Sequence, residues 1–468
     1  MNDIVSILPE IAVCTGGFFM LLLQAFAGQK AEKLYVPFSC LILFITTGLL
    51  FVSPADSRLY FSDQWITDAP SRYFKLVFLT GSLLAVLVSS RYTKENSMKY
   101  GEYFALILFA TGGMMGMAGG VDFIILFLSL ELLSLSIYAL TGARRGDAKS
   151  GEAAFKYFIL GAFATAVLLF GIALLYGATG TANITKMAFI FSAGIPAKGM
   201  AATGVIFVLI GFAFKTAFVP FHMWTPDVYE GAPAPVTAFM AAGVKAASFA
   251  AFIRVFIFSW TSSSEIWTTI IWIMAVLTMV IANAAALVQN SVKRMLAYSS
   301  IVHAGYLLVG FLSMDRQGTG VMAFYLLAYT LMNGGAFAFL ILLSGKGEKN
   351  MSFDDYRGLA YRRPVPALMM TLFLVSLAGI PPTAGFTAKF FLFTMAVQKG
   401  WTGLAIIAVI NSVVSVYYYL RLTIQMYMRE DISSEMAGIS FPFYENAALY
   451  AAAAGTILLG LIPGLFLI

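Results

Sequence analysis

Glu131, Lys215, Lys245 and Lys389 lie near the middle of long apolar runs, and His303 sits deep in another. A charge at the centre of a bilayer costs at least about 2.5–3.5 kcal/mol on insertion scales, so ionisable residues there point to the passage of charge. The chemistry open to this set is proton transfer. Burial disfavours an ammonium and a nearby carboxylate restores it, while arginine would stay charged throughout. One deep acid faces three deep lysines, so simple pairing cannot neutralise them all; some must be wet, deprotonated or cycling. Asp122 and Glu10 lie nearer helix ends. Four more cations fall inside apolar runs but within about two turns of an end, where long side chains can reach the headgroups. That reach is the expectation for Lys75, Arg254 and Arg421. Lys156 instead begins a helix expected to pack near Glu131.

These residues must be positioned by membrane helices. Of 468 residues, 60% are hydrophobic and only 11% charged, with mean hydropathy +0.86. A soluble domain carries about 25% charged residues, so a soluble fold is excluded. The spanning length of about 20 apolar residues predicts fourteen helices: 4–26, 34–53, 73–90, 103–119, 121–141, 152–177, 202–221, 235–259, 266–289, 294–313, 319–344, 364–398, 402–428 and 446–467. Only Gly119-Gly120 separates the fourth from the fifth. The twelfth carries Gly379-Ile-Pro-Pro-Thr-Ala-Gly385 in its middle and reads as two half-helices around an unwound segment.

The fold class is therefore an all-α polytopic membrane protein, with helices 7 and 12 broken beside Lys215 and Lys389. A weak internal repeat relates helices 4–8 to helices 9–13; five is odd, so the two units would be inverted. Glu131 lies nine residues past Asp122, and His303 nine past Arg294. The organisation is helices 1–3 (1–102), two half-channel units (103–260 and 264–428) and helix 14 (446–468). Loops after odd-numbered helices hold sixteen Lys and Arg, Lys99 among them, against six after even-numbered ones, Arg316 among them. The positive-inside rule makes the odd loops cytoplasmic and both termini periplasmic. Residues 1–3 lack a basic stretch, so helix 1 reads as retained.

No loop is long enough for a flavin or nucleotide domain. Cys14 and Cys40 form no CxxC, and the chain has two histidines, so neither a disulfide framework nor a thiolate metal cluster is suggested. The +6 net charge resides in short loops and indicates topology, not nucleic acid. Trp65, Trp260 and Trp401 near helix ends read as interfacial anchors. The Met114-Met115-Met117 and Tyr417-Tyr418-Tyr419 clusters read as packing, and Asp227 and Glu230 as loop architecture or proton collection.

Two motifs carry a resemblance. Lys215-Thr-Ala-Phe-Val-Pro-Phe-His-Met-Trp-Thr-Pro-Asp-Val-Tyr-Glu-Gly-Ala-Pro-Ala-Pro-Val-Thr-Ala238 and Ala378-Gly-Ile-Pro-Pro-Thr-Ala-Gly-Phe-Thr-Ala-Lys-Phe390 resemble the signatures of antiporter-like subunits of respiratory complex I. The wording is most similar to the N-type subunits, counterparts of mitochondrial subunit 2, over essentially the whole chain. The resemblance implies a proton-translocating subunit of an NADH:quinone oxidoreductase in a bacterial inner membrane. Glu131 would be the helix 5 acid, Lys215 its helix 7 partner, Lys245 the central lysine and Lys389 the lysine of the second half-channel. Lys156, His222 and His303 would be auxiliary, His222 serving either proton entry or packing. It implies partners among complex I membrane subunits, such as an M-type neighbour and the small K subunit. No cofactor is expected on this chain; NADH, FMN, Fe–S clusters and quinone would belong to the complex.

The mechanism expected is an electrostatic relay: Glu131 supports the charge on Lys215, and its withdrawal drives the proton toward Lys245 and so toward release at Lys389. Other readings are a subunit of a multisubunit sodium/proton antiporter or of a hydrogenase-linked complex, a stand-alone secondary carrier, and a structural subunit with a vestigial polar axis.

Overall fold

Apolar runs without free water must satisfy every backbone N–H and C=O internally, so the chain folds as helices wherever it is apolar. The computed structural model describes every residue except 1, 55, 97, 99, 100, 195, 196, 259, 261–263, 316, 317, 431–441, 467 and 468. Lys99, Arg316 and residue 1 of the N-terminal segment thus lie outside the described residues. The helices are 1 (Leu8–Ala27), 2 (Tyr35–Val52), 3 (Ala69–Glu95), 4 (Gly101–Gly119), 5 (Phe123–Thr141), 6 (Ala148–Thr179) and 7 (Lys198–Thr216). Helix 8 runs from Ala234 to Phe256, and 9 to 11 are Ser264–Leu287, Val292–Ser313 and Thr319–Leu343. Helix 12 comes as Pro364–Ala378 and Ala384–Gln398, followed by 13 (Thr402–Met428) and 14 (Phe443–Leu461). Among the described residues twelve are long and apolar enough to cross a membrane; the other two are the halved helix 12 and the 19-residue helix 14. Among the described residues every predicted run contains a helix, helix 7 stopping at Thr216, short of the predicted 221.

Helices 4 and 5 stay separate at Gly120. They pack so closely that a Cβ on Gly113 would lie 2.7 Å from the Leu133 nitrogen, the small-residue contact typical of membrane helices. Side chains of Asp68, Asp122, Asp147, Asn183 and Ser291 accept from the first free N–H groups of the helices they precede. Helix 8 is wholly buried, with helices 10 and 11 nearly so. Helices 6 and 13 turn apolar residues such as Phe163 and Val413 outward.

The connections sort by parity. Tyr92 near the end of helix 3, Arg144 after helix 5, Glu230 after helix 7, Lys293 after helix 9 and Glu348 after helix 11 meet at one end of the bundle. At the other end a hairpin, β1 (Arg58–Tyr60) with β2 (Trp65–Thr67), precedes helix 3. There the Asn183 amide donates to the Asp63 carbonyl, 2.6 Å away. Single β-bridges join Asp122 to Asn183 and, at the opposite end, Ser291 to Ser352.

Two cations expected at the headgroups are not there. Lys75 is 2% exposed and its ammonium sits 2.8 Å from a Glu10 carboxylate oxygen, over the Trp65 ring. Arg254 is 5% exposed and forks onto both oxygens of Asp68, one of them at 2.9 Å. It also donates to the Ala118 carbonyl at 3.1 Å. Burial pushes the Asp68 carboxyl up, but Arg254 and Ser71 outweigh it and hold it below the usual carboxylate range. The acids nearer helix ends supply the counter-charge that removes any need to snorkel. Arg421 does reach a chain connection, donating to the Gln289 carbonyl at 2.8 Å and lying over Phe353. Trp65 and Trp260 are buried rather than interfacial, Trp260 among Phe123, Phe191 and Phe256.

Breaking a buried ion pair leaves an uncompensated charge and costs about 3–5 kcal/mol, whereas an apolar replacement of both partners is near neutral. Arg254→Met should therefore sharply lower the thermal stability of the detergent-purified assembly. Asp68→Leu combined with Arg254→Met should restore most of it.

Candidate functional site

The two helix breaks set the geometry. Helix 7 stops at Thr216 in front of the segment containing Pro220, and a short helix, Trp224–Gly231, follows. A helix end leaves its last carbonyls without intrahelical partners. Here the Trp224 indole donates to the Phe214 carbonyl at 3.0 Å, and the Val219 N–H finds Thr278 Oγ1 at 2.9 Å. Lys215 stands on this last turn, 6% exposed. Its ammonium donates to Ser134 Oγ at 2.8 Å and to the Tyr138 hydroxyl at 3.2 Å, both on helix 5. Glu131 acts on Lys215 electrostatically, one turn before Ser134, but no ion pair within 4.0 Å joins them. Glu131 Oε1 is buried with no hydrogen-bond partner.

At the second break the same need is met from the other side. Pro364–Ala378 ends at Gly379, whose φ of +87° suits glycine. Lys389, one turn into Ala384–Gln398, reaches back to the Leu377 and Ala378 carbonyls at 2.9 and 3.0 Å and to Ser412 Oγ at 2.9 Å. The negative end of a helix dipole favours a cation there. Gly385 lets the halves meet: a Cβ would overlap the Ser376 carbonyl oxygen. Beside Lys389 a groove of about 670 Å³, lined by Phe390, Val409 and Val413, opens between the second half of helix 12 and helix 13.

The third buried lysine, Lys245, is on helix 8. Helix 8 makes a π-helical turn over Met240–Val244, and Lys245 is the next residue; such turns interrupt regular i−4 bonding and recur at functional positions. Its ammonium donates to the Ser300 carbonyl and to Ser300 Oγ at 3.0 Å. His303, one turn further along helix 10, has Nδ1 2.7 Å from the Tyr325 hydroxyl and Nε2 3.4 Å from that of Tyr419. Tyr419 in turn meets Ser299 Oγ, and the Lys389 ammonium lies 5.0 Å from the Tyr306 ring centre. Lysines 215, 245 and 389 and His303 thus form a buried set, each lysine with a hydroxyl partner and His303 within reach of the charges of Lys245 and Lys389.

Two expected members lie apart from it. The Lys156 ammonium, 40% exposed, is paired with Glu152 at 2.7 Å and Asp227 at 3.0 Å, not with Glu131. Arg294 reaches Asp227 and Glu230, 3.0 and 2.6 Å away, so the acids of this loop are held by cations. Burial pushes the Asp227 carboxyl up, but Lys156 and Arg294 outweigh it and hold it below the usual carboxylate range. His222 is half-buried before Trp224 with its Nδ1 unpartnered, and no described hydrogen bond or ion pair ties it to Lys215.

Sequence reasoning missed the hydroxyls. Tyr419 is part of the His303 surroundings, not plain packing, whereas Met114, Met115 and Met117 are simply core. The signal was available as Tyr325, Tyr329 and Asn333 at four-residue spacing in one apolar run. It also missed the pair of Lys293, 1% exposed, with the Glu348 carboxylate at 2.6 Å. Among the described residues no group of three or more His, Cys, Asp or Glu could hold a metal ion.

An all-helical membrane fold with buried lysines at two helix breaks and a third after a π-helical turn marks a membrane subunit of the antiporter type. Residues 120–415 match the family described as NADH:quinone oxidoreductase/Mrp antiporter, TM. The chain belongs to that family. Within it the chain is 46% identical over 463 residues to NADH-quinone oxidoreductase subunit N of Trichlorobacter lovleyi, covering 98% of this chain and 95% of that one. It is 41% identical to subunit N 2 of Rhizobium meliloti, with 98% and 95% covered. Among solved structures it superposes on a chain of respiratory complex I from Thermus thermophilus with TM-score 0.83 and 33% identity, covering 98% of both. A chain of the Mrp complex from Dietzia shares the fold at TM-score 0.83 and 22% identity, covering 100% of this chain and 95% of that one.

A methyl group on Gly379 would come 2.9 Å from Lys389 Cδ, at a backbone angle that costs a non-glycine residue about 1–3 kcal/mol. Gly379→Ala should displace the ammonium from the Leu377 and Ala378 carbonyls. Proton translocation by the assembled complex in vesicles should fall well before assembly does, as judged by native gel.

Proposed function

We propose that this chain moves protons through a relay of Glu131, Lys215, Lys245, His303 and Lys389, as the N-type membrane subunit of an NADH:quinone oxidoreductase. The observation that carries the reading is the partner set of the three lysines. Each is at most 6% exposed, and among the described residues none has a carboxylate within 4.0 Å. Their contacts are hydroxyls and carbonyls instead. A hydroxyl accepts from an ammonium and can turn to donate to the neutral amine, so Ser134, Tyr138, Ser300 and Ser412 serve both protonation states.

The electrostatic demands are modest. A shift of one pKa unit corresponds to about 1.4 kcal/mol, and moving one charge through 100 mV costs about 2.3 kcal/mol. Couplings of about two units between neighbouring sites therefore suffice. Glu131, unpaired on Oε1, is free to approach Lys215 or withdraw. Lys156 and His222 take supporting places at the loop end, where Asp227 and Glu230 collect charge.

The matched bridges support two inverted units. Asp122 to Ser291 and Asn183 to Ser352 are each a step of 169 residues, and the two bridges sit at opposite ends. This register pairs Glu131 with Ser300 and Ser134 with His303, three residues from the pairing that the heads of helices 5 and 10 suggest. The excess of Lys and Arg in the odd loops supports a cytoplasmic face there, with both termini periplasmic, in a bacterial inner membrane. Neighbouring membrane subunits, an M-type chain and the small K subunit, would flank it. NADH, FMN, Fe–S and quinone chemistry would reside in other subunits.

Lys215→Arg and Lys389→Arg keep the charge but cannot release the proton. Each should abolish proton translocation per NADH oxidised in membrane vesicles while the complex still assembles. Native pumping in both variants would sink the relay.

A further inference from the structure

The relay needs a supply of protons at its centre, and one buried polar stripe has no role in it so far. Tyr325, Tyr329 and Asn333 share one face of helix 11, and all three are at most 1% exposed. Tyr325 is taken by His303. Tyr329 has its ring 4.9 Å from that of His303 and its phenol facing the Ser300 hydroxyl, yet its oxygen makes no hydrogen bond. Asn333, one turn nearer the loop, has both its amide oxygen and its amide nitrogen buried and unpartnered.

A buried polar group left unmatched is strongly disfavoured, and an amide can take up to four hydrogen bonds. Ordered water bound to such groups is the ordinary resolution in protein interiors. What lies at each end of the stripe gives that water a purpose. Toward the membrane centre, Ser300 holds Lys245. Toward the loop, helix 11 runs into the segment bearing Glu348. The Glu348 carboxylate accepts from Lys293 at 2.6 Å, from the Ala234 N–H at 2.7 Å and from the Tyr92 hydroxyl, with Arg144 3.7 Å away. The phenol of buried Tyr229 also lies near the Ser300 hydroxyl. The carbonyl of the next residue, Glu230, accepts from Lys293 at 2.9 Å.

We propose that Asn333 and Tyr329, with Tyr229, hold a short chain of ordered water that delivers protons from the Lys293–Glu348 cluster to Lys245. The inference rests on the relay reading and adds its loop-side branch. Asn333 and Tyr329 are positioning residues: they orient water and do not themselves change charge. Glu348 and Lys293 form the mouth, next to exposed Lys346 and Lys349.

The test uses the whole complex in proteoliposomes, with the rate of proton translocation as readout. Asn333→Leu should slow it roughly tenfold, the factor carried by one hydrogen bond of about 1.4 kcal/mol, whereas Asn333→Ser, which keeps a polar group for water, should stay close to native. Native pumping by Asn333→Leu overturns the branch, and so does equal loss in both variants, which would mark a packing role. Should Asn333→Leu fail to assemble, Tyr329→Phe decides: it preserves shape, and an unchanged rate overturns the proposal. Lys245→Ala separates the two levels. If it pumps normally the relay itself fails; if it is inactive while Asn333→Leu and Tyr329→Phe pump normally, only the branch fails.

Discussion

Interrupted helices inside a membrane create a debt of bare carbonyls, and that constraint organises this molecule. Each break leaves the last turn of a half-helix with acceptors that neither water nor lipid can satisfy. At helix 7 the Trp224 indole meets part of the need at the Phe214 carbonyl, and Thr278 accepts from the freed Val219 N–H beyond the break. At helix 12 a lysine does it, with the Lys389 ammonium on two terminal carbonyls. A cation placed there is stabilised by the same dipole that the break exposes. Breaking a helix and burying a lysine, each costly alone, are mutually supporting together.

The buried cations divide by the company they keep. Lys75, Arg254 and Lys293 have fixed acids, Glu10, Asp68 and Glu348, and tie together segments distant in sequence. Lys215, Lys245 and Lys389 have hydroxyls and carbonyls. A carboxylate at contact distance would lock the proton on; a hydroxyl leaves both states accommodated. The first group holds the scaffold against which, in the proposed relay, the second changes charge; arginine appears only in the scaffold.

The elements were legible because apolar length and Pro-Gly interruptions are local signals. All fourteen runs, the Gly119-Gly120 boundary and both breaks could be read directly from residue order. Lys75 and Arg254 were misread because their partners lie at helix ends 65 and 186 residues away in sequence, and proximity to a helix end looks the same whether a side chain points out to headgroups or in to an acid. The hydroxyl lattice escaped for a different reason: tyrosine is at home in apolar helices, so Tyr325, Tyr329 and Tyr419 are conspicuous only once His303 and Ser299 are seen against them. Lys156 and Glu131 sit on neighbouring helices, but at different depths, which periodicity does not report.

The register set by the paired bridges has a consequence for direction. Under it, the place that Glu131 occupies in the first unit is Ser300 in the second, and Ser300 is the residue that holds Lys245. In the proposed relay one unit would then carry a charge at that depth and the other a neutral anchor. Charge on Glu131 would favour protonation of Lys215, while among the described residues the Lys389 ammonium hydrogen-bonds only to two carbonyls and Ser412. A proton entering the proposed axis would be held more strongly at the Glu131 end when that acid is charged and close. Withdrawal of the acid would favour release toward Lys389, so this one unlike position would give the relay a sense of travel.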